Sequence, residues 1–339
     1  MHVMTIHLKT QNRWHTGRIL SFSVAAMLAM SMASVAYAAP GSKLEQYRVP
    51  TAGSSPQHIT AASDGNMWFT ESFLYAQNVA RHNVGRITPS GGVTEFAVCD
   101  FCFPNDIVQG SDGLLYYTRN DAPFGRVTTG GVALPVDPED LFRFNGNGLD
   151  AHGDDIWIAD FNNHSVWRYD IPTDTFTSFD ATTAESPGAT PLHVAVDQAG
   201  LVWFTDANGF IGRLDPATGV VTTTAVEGFP RQITIAADGT VWFSERFSQA
   251  VGRLDPATGA VVLFPLDGGP EGIAPAADGS VWVTRTTAGN IVRITPAGAV
   301  LDQTRTLKGS EPFGITVAAD GDPWFAMSRA DKIGRLNLP

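Results

Sequence analysis

The stretch Ala-Ser-Asp-Gly-Asn-Met-Trp-Phe-Thr-Glu, residues 62–71, decides the fold, because close copies of it return along the chain. One full copy is Ala-Asp-Gly-Thr-Val-Trp-Phe-Ser-Glu, residues 237–245. Seven copies follow one another at steps of 39 to 48 residues, each with one anchoring aromatic residue: Trp68, Tyr116, Trp157, Trp203, Trp242, Trp282 and Trp324. A period near 40 residues built from short strands is typical of a β-propeller. The sequence therefore predicts an all-β fold, a seven-bladed β-propeller of four-stranded blades.

The fifth repeat shows how one blade is built. Its four extended runs are residues 232–236, 241–245, 251–255 and 260–266. An Asp-Gly turn separates the first two runs and a Pro-Ala-Thr-Gly turn separates the last two, as expected for hairpins. No segment of the chain keeps a helical period, so nothing competes with the all-β interpretation.

The two ends of the chain predict how the ring closes. The seventh repeat stops after its third run, residues 332–338, and so lacks a fourth strand. The run Leu-Glu-Gln-Tyr-Arg-Val, residues 44–49, matches the fourth-strand run Val-Thr-Glu-Phe-Ala-Val at 93–98. We expect the N-terminal strand to pair into the last blade, which would protect strand edges that otherwise invite aggregation.

Residues that recur from blade to blade are expected to be structural. The anchoring Trp rings would fill the space between neighbouring sheets, and a glycine in the third strand would allow close approach there. These glycines are Gly85, Gly125, Gly212, Gly252 and Gly334. Function should therefore be sought among the residues that break the repeat.

Residues 1–38 have the pattern of a signal peptide. Three basic residues precede an apolar run at 19–35, and Ala-Tyr-Ala at 36–38 fits a cleavage signal. A membrane anchor is the alternative, but the apolar run is short for a span. We expect residues 39–339 to form a single propeller domain that is secreted or periplasmic, has no membrane anchor and is a monomer.

Charge and cysteine content narrow the function further. The leader carries three Lys or Arg and no acidic residue, so the formal charge of −12 becomes −15 for the remaining chain. Such an acidic protein is a poor partner for nucleic acid or anionic lipid. The two cysteines, Cys99 and Cys102, lack the context of a haem, zinc or thioredoxin motif, which leaves a local disulfide or two free thiols.

One mouth of the central channel is the predicted site. Because the first two strands of a blade form a hairpin, the start of the first and the end of the second lie at the same end. The second strands end in Glu71, Arg119, Asp160, Asp206, Glu245, Arg285 and Met327. The first strands begin with a recurrent x-Pro-x-x-Ile frame whose flanking residues vary. From these starts come the candidate substrate contacts Gln57, Arg231, Glu271 and Phe313 and the candidate catalytic residues His58 and His193.

Two interpretations of this charged mouth remain open. The residues could form a solvated lattice of salt bridges, or they could line a pocket for a substrate or metal. Long connections at residues 72–83, 137–142 and 182–190 decorate this face, which favours a pocket.

The sequence resembles virginiamycin B lyase, the streptogramin lyase family of seven-bladed propellers, over roughly residues 44–339. The similarity is clearest in the last blade, in Glu-Pro-Phe-Gly-Ile at 311–315, Trp-Phe-Ala-Met at 324–327 and Asp-Lys-Ile-Gly-Arg-Leu at 331–336. The resemblance implies a carbon–oxygen lyase that opens a macrocyclic ester by elimination. A His base removes a proton, and Mg²⁺ held by two Glu residues stabilises the enolate-like charge.

Residue by residue, the resemblance carries over in part. Glu311 stands where the first metal-binding Glu is expected, with Glu71 and Glu245 as possible co-ligands from the ring. Phe313 occupies the place of the His base, Ser328 that of the second Glu, and Glu271 that of a substrate-contacting His. Phe cannot accept a proton and Ser is a poor ligand for a hard cation, so little or no streptogramin lyase activity is expected.

Three functions are then in competition. The first is a lyase-family enzyme with a shifted site, acting on a small molecule at the channel mouth. The second is a non-catalytic propeller of the cell envelope that binds a ligand or a protein at the decorated face. A calcium-dependent lactonase of the six-bladed type is third, and the seven repeats disfavour it.

Overall fold

A computed structural model describes residues 41–72, 82–100, 102–135 and 146–339, and there the chain is an all-β propeller. Seven antiparallel sheets of four strands each follow the seven repeats. The predicted leader lies outside the described residues, as do most of the 72–83 connection and all of 137–142. Among the described residues, no helix is long and apolar enough to cross a bilayer.

The first four blades use consecutive strands. After β1 (Lys43–Arg48), blade 1 contains β2 (Pro56–Ala61), β3 (Met67–Glu71), β4 (His82–Ile87) and β5 (Val93–Cys99). Blade 2 contains β6 (Ile107–Gln109), β7 (Leu115–Tyr117), β8 (Gly125–Val127) and β9 (Ala133–Leu134). Blade 3 contains β10 (Gly146–His152), β11 (Asp155–Asp160), β12 (Ser165–Asp170) and β13 (Thr175–Asp180), and blade 4 contains β14 (Pro191–Val196), β15 (Val202–Asp206), β16 (Phe210–Asp215) and β17 (Val220–Ala225).

The last three blades continue the pattern. Blade 5 contains β18 (Ile233–Ile235), β19 (Val241–Glu245), β20 (Ala250–Leu254) and β21 (Val261–Pro265). Blade 6 contains β22 (Pro270–Pro275), β23 (Val281–Arg285), β24 (Asn290–Ile294) and β25 (Val300–Arg305). Blade 7 contains β26 (Pro312–Val317), β27 (Pro323–Met327) and β28 (Lys332–Asn337), with a 3₁₀ turn at Ser328–Ala330.

Ring closure by the N-terminal strand is confirmed. β1 pairs antiparallel with β28, so blade 7 has the order β1-β28-β27-β26. The register runs from Lys43 opposite Asn337 to Arg48 opposite Lys332. Val49, predicted to end the strand, lies one residue beyond it and donates its N–H to the carbonyl of Asp331 at 2.9 Å.

The anchoring Trp rings pack between sheets, as predicted, since Trp68 shares a core cluster with Ile107 and Leu115 of blade 2, whereas the third-strand glycines make room for a ring within their own blade. Trp68 is fully buried, and the guanidinium of Arg86 lies 5.7 Å from its ring centroid. A Cβ at Gly85 would lie 2.1 Å from the ring of Phe69, so the glycine makes room for that aromatic ring. Gly125, Gly212, Gly252 and Gly334 stand in the same relation to the second-strand aromatics of their own blades.

The x-Pro-x-x-Ile frame corresponds to an irregularity at the start of the first strands. In β2 the register with β3 shifts between Pro56 and Ile59, and β22 and β26 show the same shift. Bulges of this kind re-aim side chains next to binding sites. Here the residues between Pro and Ile include His58, Glu271 and Phe313, which line a pocket at the channel mouth.

The cysteine pair forms a disulfide. Cys99 at the end of β5 is bonded to Cys102, and their Cα atoms lie 5.9 Å apart. The link closes a short loop in the connection between blades 1 and 2, beside the predicted mouth. Of the two possibilities left open by the sequence, the structure contains the disulfide.

Candidate functional site

Two cavities meet at the start of the first strands. The mouth pocket encloses about 40 Å³ and is lined by His58, Asn105, Asn147, Gly148, Leu192, His193, Arg231, Gln232, Glu271 and Phe313. Beneath it the channel cavity, about 180 Å³, runs between the first strands of the blades. His58, His193 and Gln232 line both cavities, so these side chains form the layer between them.

A His–Asp–His cluster occupies this layer and consists of His58, Asp106 and His193. Nδ1 of His58 lies 3.0 Å from Oδ1 of Asp106, and Nε2 of His193 lies 3.0 Å from Oδ2. The metal-ligating atoms of these three side chains all lie within 4.8 Å of one another. Among the residues that the structure describes, no other set of three or more His, Cys, Asp or Glu side chains is gathered in this way. The two predicted catalytic histidines are therefore brought together by a carboxylate between them.

Asp106 is held by the backbone as well as by the histidines. Its Oδ1 accepts the N–H of Ile107 at 2.9 Å, and its Oδ2 accepts the N–H of Leu149 at 2.7 Å. Burial alone would raise the pKa of this carboxyl, but the two histidines lower it well below its usual range. Asp106 is therefore a buried carboxylate with both oxygens fully engaged.

His193 uses both ring nitrogens as donors. Its Nδ1 lies 3.1 Å from the carbonyl oxygen of Val194, which can only accept, and its Nε2 faces the Asp106 carboxylate, which also only accepts. This network assigns a proton to each nitrogen. Burial lowers the pKa of His193, but the charge and hydrogen bond of Asp106 outweigh burial and raise it overall. His193 thus has an acceptor at each ring nitrogen, an arrangement that favours its cationic form.

The imidazole of His193 reaches Asp106 through the space left by a glycine in the blade between them. Blade 3 lies between the blades of Asp106 and His193, and at the matching position it has Gly148. A Cβ there would lie 2.6 Å from both Cα and Cδ2 of His193. Since almost any side chain at Gly148 would displace the imidazole, this glycine is part of the site.

His58 has the opposite arrangement of protons. The amide oxygen of Gln232 lies 3.4 Å from the N–H of Ile273, so its NH₂ group faces Nε2 of His58, also at 3.4 Å. Nδ1 of His58 donates to Asp106, which leaves the lone pair on Nε2. Phe313 packs edge-on against the ring at 5.5 Å between centroids. In this tautomer Nε2 of His58 faces Gln232 beside the mouth pocket.

A girdle of hydroxyl groups fixes the backbone of the mouth. The Oγ1 of Thr70 accepts the N–H of His58 at 3.2 Å and donates to the carbonyl of Asn105 in the next blade at 2.6 Å. Thr118, Thr205, Ser244 and Thr284 make the same pair of contacts in their blades. Each hydroxyl thus links two neighbouring blades at the level of the site.

The predicted substrate contacts lie in different surroundings. Glu271 is 1% exposed and accepts from Arg231 at 2.9 Å and from Arg246 at 3.2 Å, so two cations surround one carboxylate. Arg231, Glu271 and Phe313 line the mouth pocket, and Gln57 is not among its lining residues. The amide of Gln57 donates to the backbone and hydroxyl of Ser55 instead.

The second-strand ends are engaged in local contacts. Asp160 accepts backbone N–H groups from Asn162 and Asn163, and Asp206 accepts those of Thr190 and Asn208. Arg119 pairs with Asp121 and Arg285 with Asp267. The two arginines thus form salt bridges, as the first interpretation expected, but the two aspartates cap loops, and all four residues are buried rather than solvated.

Glu71 and Glu245 are buried carboxyl groups away from both cavities. Burial, helped by nearby Glu95, raises the pKa of Glu71 well above its usual value, and Asn83 donates to it at 3.1 Å. Burial raises the pKa of Glu245 to about 7. Neither residue is among those that line the mouth pocket or the channel cavity.

The last-blade residues do not fit a magnesium site. Glu311 is paired with Arg329 at 2.8 Å. The hydroxyl of Ser328 donates to the carbonyl of Pro56 at 2.8 Å, the same interblade contact that Ser72 makes to the carbonyl of Pro104. Mg²⁺ requires a near-octahedral set of oxygen ligands. The Glu311 carboxylate, paired with Arg329, and the Ser328 hydroxyl, bonded to Pro56, do not supply such a ligand set. The metal site at Glu311, with Glu71 and Glu245 as possible co-ligands, stays a prediction.

Sequence reasoning missed Asp106, Gln232 and Gly148. All three stand directly before the Ile position of the x-Pro-x-x-Ile frame, the same register that singled out His58 and His193. Aligning the seven repeats at that one position would have found them. Their reach across the channel is not visible in the sequence, because it depends on the spacing of the blades.

A family model described as the virginiamycin B lyase family matches residues 29–136 and 149–338. The chain belongs to the virginiamycin B lyase family. Among solved structures, a streptogramin B lyase is 26% identical, with a TM-score of 0.76 over 88% of this chain and 98% of that one. None of the curated proteins matches the sequence significantly.

A second structure shows a family member with its ligand. A catalytically inactive histidine-to-alanine variant of virginiamycin B lyase from Staphylococcus aureus, solved with quinupristin, is 25% identical to this chain. The match has a TM-score of 0.75 and covers 88% of this chain and 100% of that one. At 14% identity, a hydrazine synthase from Kuenenia stuttgartiensis shares the fold alone, with a TM-score of 0.68 over 86% of this chain and 97% of that one.

Proposed function

We propose that the chain is a carbon–oxygen lyase that opens a cyclic ester by elimination, with its base in blade 1 rather than in the last blade. The observation that carries the proposal is the arrangement of His58, whose Nδ1 donates to Asp106 and whose Nε2 lone pair borders the mouth pocket. A general base needs such an orienting partner and a nitrogen that the substrate can reach, and Nε2 has only the long 3.4 Å contact with the Gln232 amide. Membership of the lyase family supports the reaction class.

The reaction balances without another reactant. Nε2 of His58 takes a proton from a carbon beside a carbonyl group, and the electron pair of that C–H bond becomes a carbon–carbon double bond. The bond from the neighbouring carbon to the ester oxygen breaks, and the acid part leaves as a carboxylate. Asp106 stabilises the resulting imidazolium through Nδ1, as a buried carboxylate does in a catalytic triad. A positioned base typically contributes about 10²- to 10⁴-fold in rate.

The proton transfer to His58 described above uses no magnesium ion. The family resemblance implies Mg²⁺ at the last blade, but Glu311 and Ser328 are engaged in other contacts there. We therefore expect a type B streptogramin to be a poor substrate.

A non-catalytic propeller that binds a small molecule or a protein is the second candidate. It is favoured by Phe313 and Ser328, which stand where the family's base and second metal ligand are expected. In either case we propose a monomeric, exported protein, secreted or periplasmic, with a small molecule at the channel mouth. The acidic chain argues against nucleic acid as a partner.

The test is turnover of a panel of cyclic esters, including a type B streptogramin, by wild type and two variants. Elimination gives a product of unchanged mass, whereas hydrolysis adds one water, so chromatography with mass spectrometry separates the two reactions. We expect His58→Asn to lose about 10²-fold or more in kcat/KM. His152→Asn, a change at an exposed histidine, should match wild type. No turnover of any ester by wild type would favour the binding role, and equal rates for His58→Asn would refute the assigned base.

A further inference from the structure

We propose that the His–Asp–His cluster is also a binding site for a divalent transition-metal ion, which enters in exchange for the two bridging protons. Nδ1 of His58 and Nε2 of His193 each face the Asp106 carboxylate at 3.0 Å, and their protons lie between the groups. In a tetrahedral site with ligand distances near about 2.1 Å, neighbouring ligand atoms stand about 3.4 Å apart. The ligand atoms of the cluster lie within 4.8 Å of one another, so a metal ion can replace the protons when the two rings close around it.

The ligand types select the class of metal. Two imidazole nitrogens and one carboxylate suit Zn²⁺, Co²⁺, Ni²⁺ or Fe²⁺, whereas Mg²⁺ prefers an all-oxygen set. This site differs in place and in chemistry from the oxygen site that the family resemblance implies at Glu311.

The surroundings of the cluster are those of a metal site. A metal-bound histidine usually donates its other N–H to a carbonyl or carboxylate, and Nδ1 of His193 already donates to Val194. Asp106 is oriented by the backbone N–H groups of Ile107 and Leu149. The mouth pocket and the channel cavity adjoin the cluster on two sides, which leaves room for water to complete the coordination.

Metal binding would oppose the proposed catalysis. When a metal occupies Nδ1 of a neutral imidazole, the remaining proton sits on Nε2, so His58 has no lone pair toward the mouth. This consequence rests on the proposed function, whereas the binding site itself does not. Zn²⁺ should therefore inhibit turnover while leaving the fold intact.

The first experiment titrates wild type, Asp106→Asn and Glu311→Gln with Co²⁺ followed by visible absorption and with Zn²⁺ followed by calorimetry. Wild type should bind one ion, and Glu311→Gln should bind it equally well. Asp106→Asn should bind at least about 100-fold more weakly, since changes even to outer-shell partners cost 10- to 100-fold. Equal binding by wild type and Asp106→Asn, or no binding by wild type at millimolar metal, would overturn the proposal.

A second measurement covers the case that Asp106→Asn fails to fold. Crystals of wild type soaked in Zn²⁺ should show an anomalous scattering peak between His58, Asp106 and His193. A peak only at other residues would overturn the proposal. Both measurements read binding and not turnover, so they remain decisive if the lyase activity is absent.

Discussion

At Gly148, the addition of a single methyl group should be enough to disturb the His–Asp–His cluster. A Cβ at this position would lie 2.6 Å from the Cα and the ring of His193. Gly148→Ala should therefore push His193 off Asp106 and cost about 1–3 kcal/mol of stability, as overpacking does. We expect a lower Tm in calorimetry and a much weaker Co²⁺ signal. Gly188→Ala is the matched control, because a Cβ there meets nothing within 4 Å. Equal behaviour of the two variants would show that His193 does not need the gap.

Glu245 gives the protein a dependence of stability on pH. Its carboxyl is buried, and burial raises its pKa to about 7, only partly offset by Ser248. A raised folded-state pKa means that the stabilisation is complete below the unfolded pKa of about 4.3 and is lost as pH rises through about 7.

Glu245→Gln should remove this dependence, because the amide stays neutral at every pH. We expect the variant to melt a few degrees above wild type at pH 8 and close to it at pH 5. Glu185→Gln, at an exposed residue, should follow wild type at both values. If Glu245→Gln melts below wild type at pH 8, burial does not raise the pKa of Glu245 and the assignment is wrong.

The site could be predicted from the sequence only in part, and the reason is geometric. His58 and His193 were found because each precedes the Ile of the repeat frame. The link between them could not be found, because it depends on the distance across the channel and on the gap at Gly148. The predicted metal ligand Glu311 illustrates the same limit, since its ion pair with Arg329 depends on a local turn.

At the level of elements, the hydroxyl girdle links neighbouring blades. The Oγ1 of Thr284 accepts the N–H of Gly272 at 2.7 Å and donates to the carbonyl of Phe313 at 2.6 Å. Thr284→Val removes both contacts and leaves a buried N–H without its acceptor, which costs about 1–3 kcal/mol. We expect a lower Tm.

Thr286→Val is the control for this change. Thr286 is equally buried, but its hydroxyl has no hydrogen-bond partner among the described residues. Replacing an unsatisfied hydroxyl by a methyl group should be neutral or stabilising. If both valine variants lose stability equally, the interblade contacts do not matter.

β1 is the element that closes the ring. Without Lys43–Arg48, the outer edge of β28 loses its whole hydrogen-bonded partner and becomes an open strand edge. A chain that starts at Val49 should melt several degrees below one that starts at Gly41. Identical melting curves would show that closure does not depend on β1.

The strands themselves were predictable because the signal recurs. Because the same turn and the same aromatic anchor recur seven times, strands that were ambiguous in one repeat could be assigned from the others. The closing strand could be predicted because the last repeat lacks its fourth strand. The short strands of blade 2, such as Ala133–Leu134, were less evident, because their repeat lacks the anchoring Trp and ends in a different loop.

At the scale of the whole molecule, the propeller brings one side chain from each of four blades to a single layer, while blades 3, 6 and 7 have glycine at the matching position. Four side chains from blades 1, 2, 4 and 5 meet across the channel: His58, Asp106, His193 and Gln232.

The central claim is that one carboxylate gives the two histidines different protonation states. Nitrogen NMR of the wild-type protein with ¹⁵N-labelled histidine tests it directly, with His58→Asn and His193→Asn spectra to assign the signals. At neutral pH we predict a proton on Nδ1 and a bare Nε2 for His58, and protons on both nitrogens for His193. A bare Nδ1 with a protonated Nε2 in His58 would contradict the account.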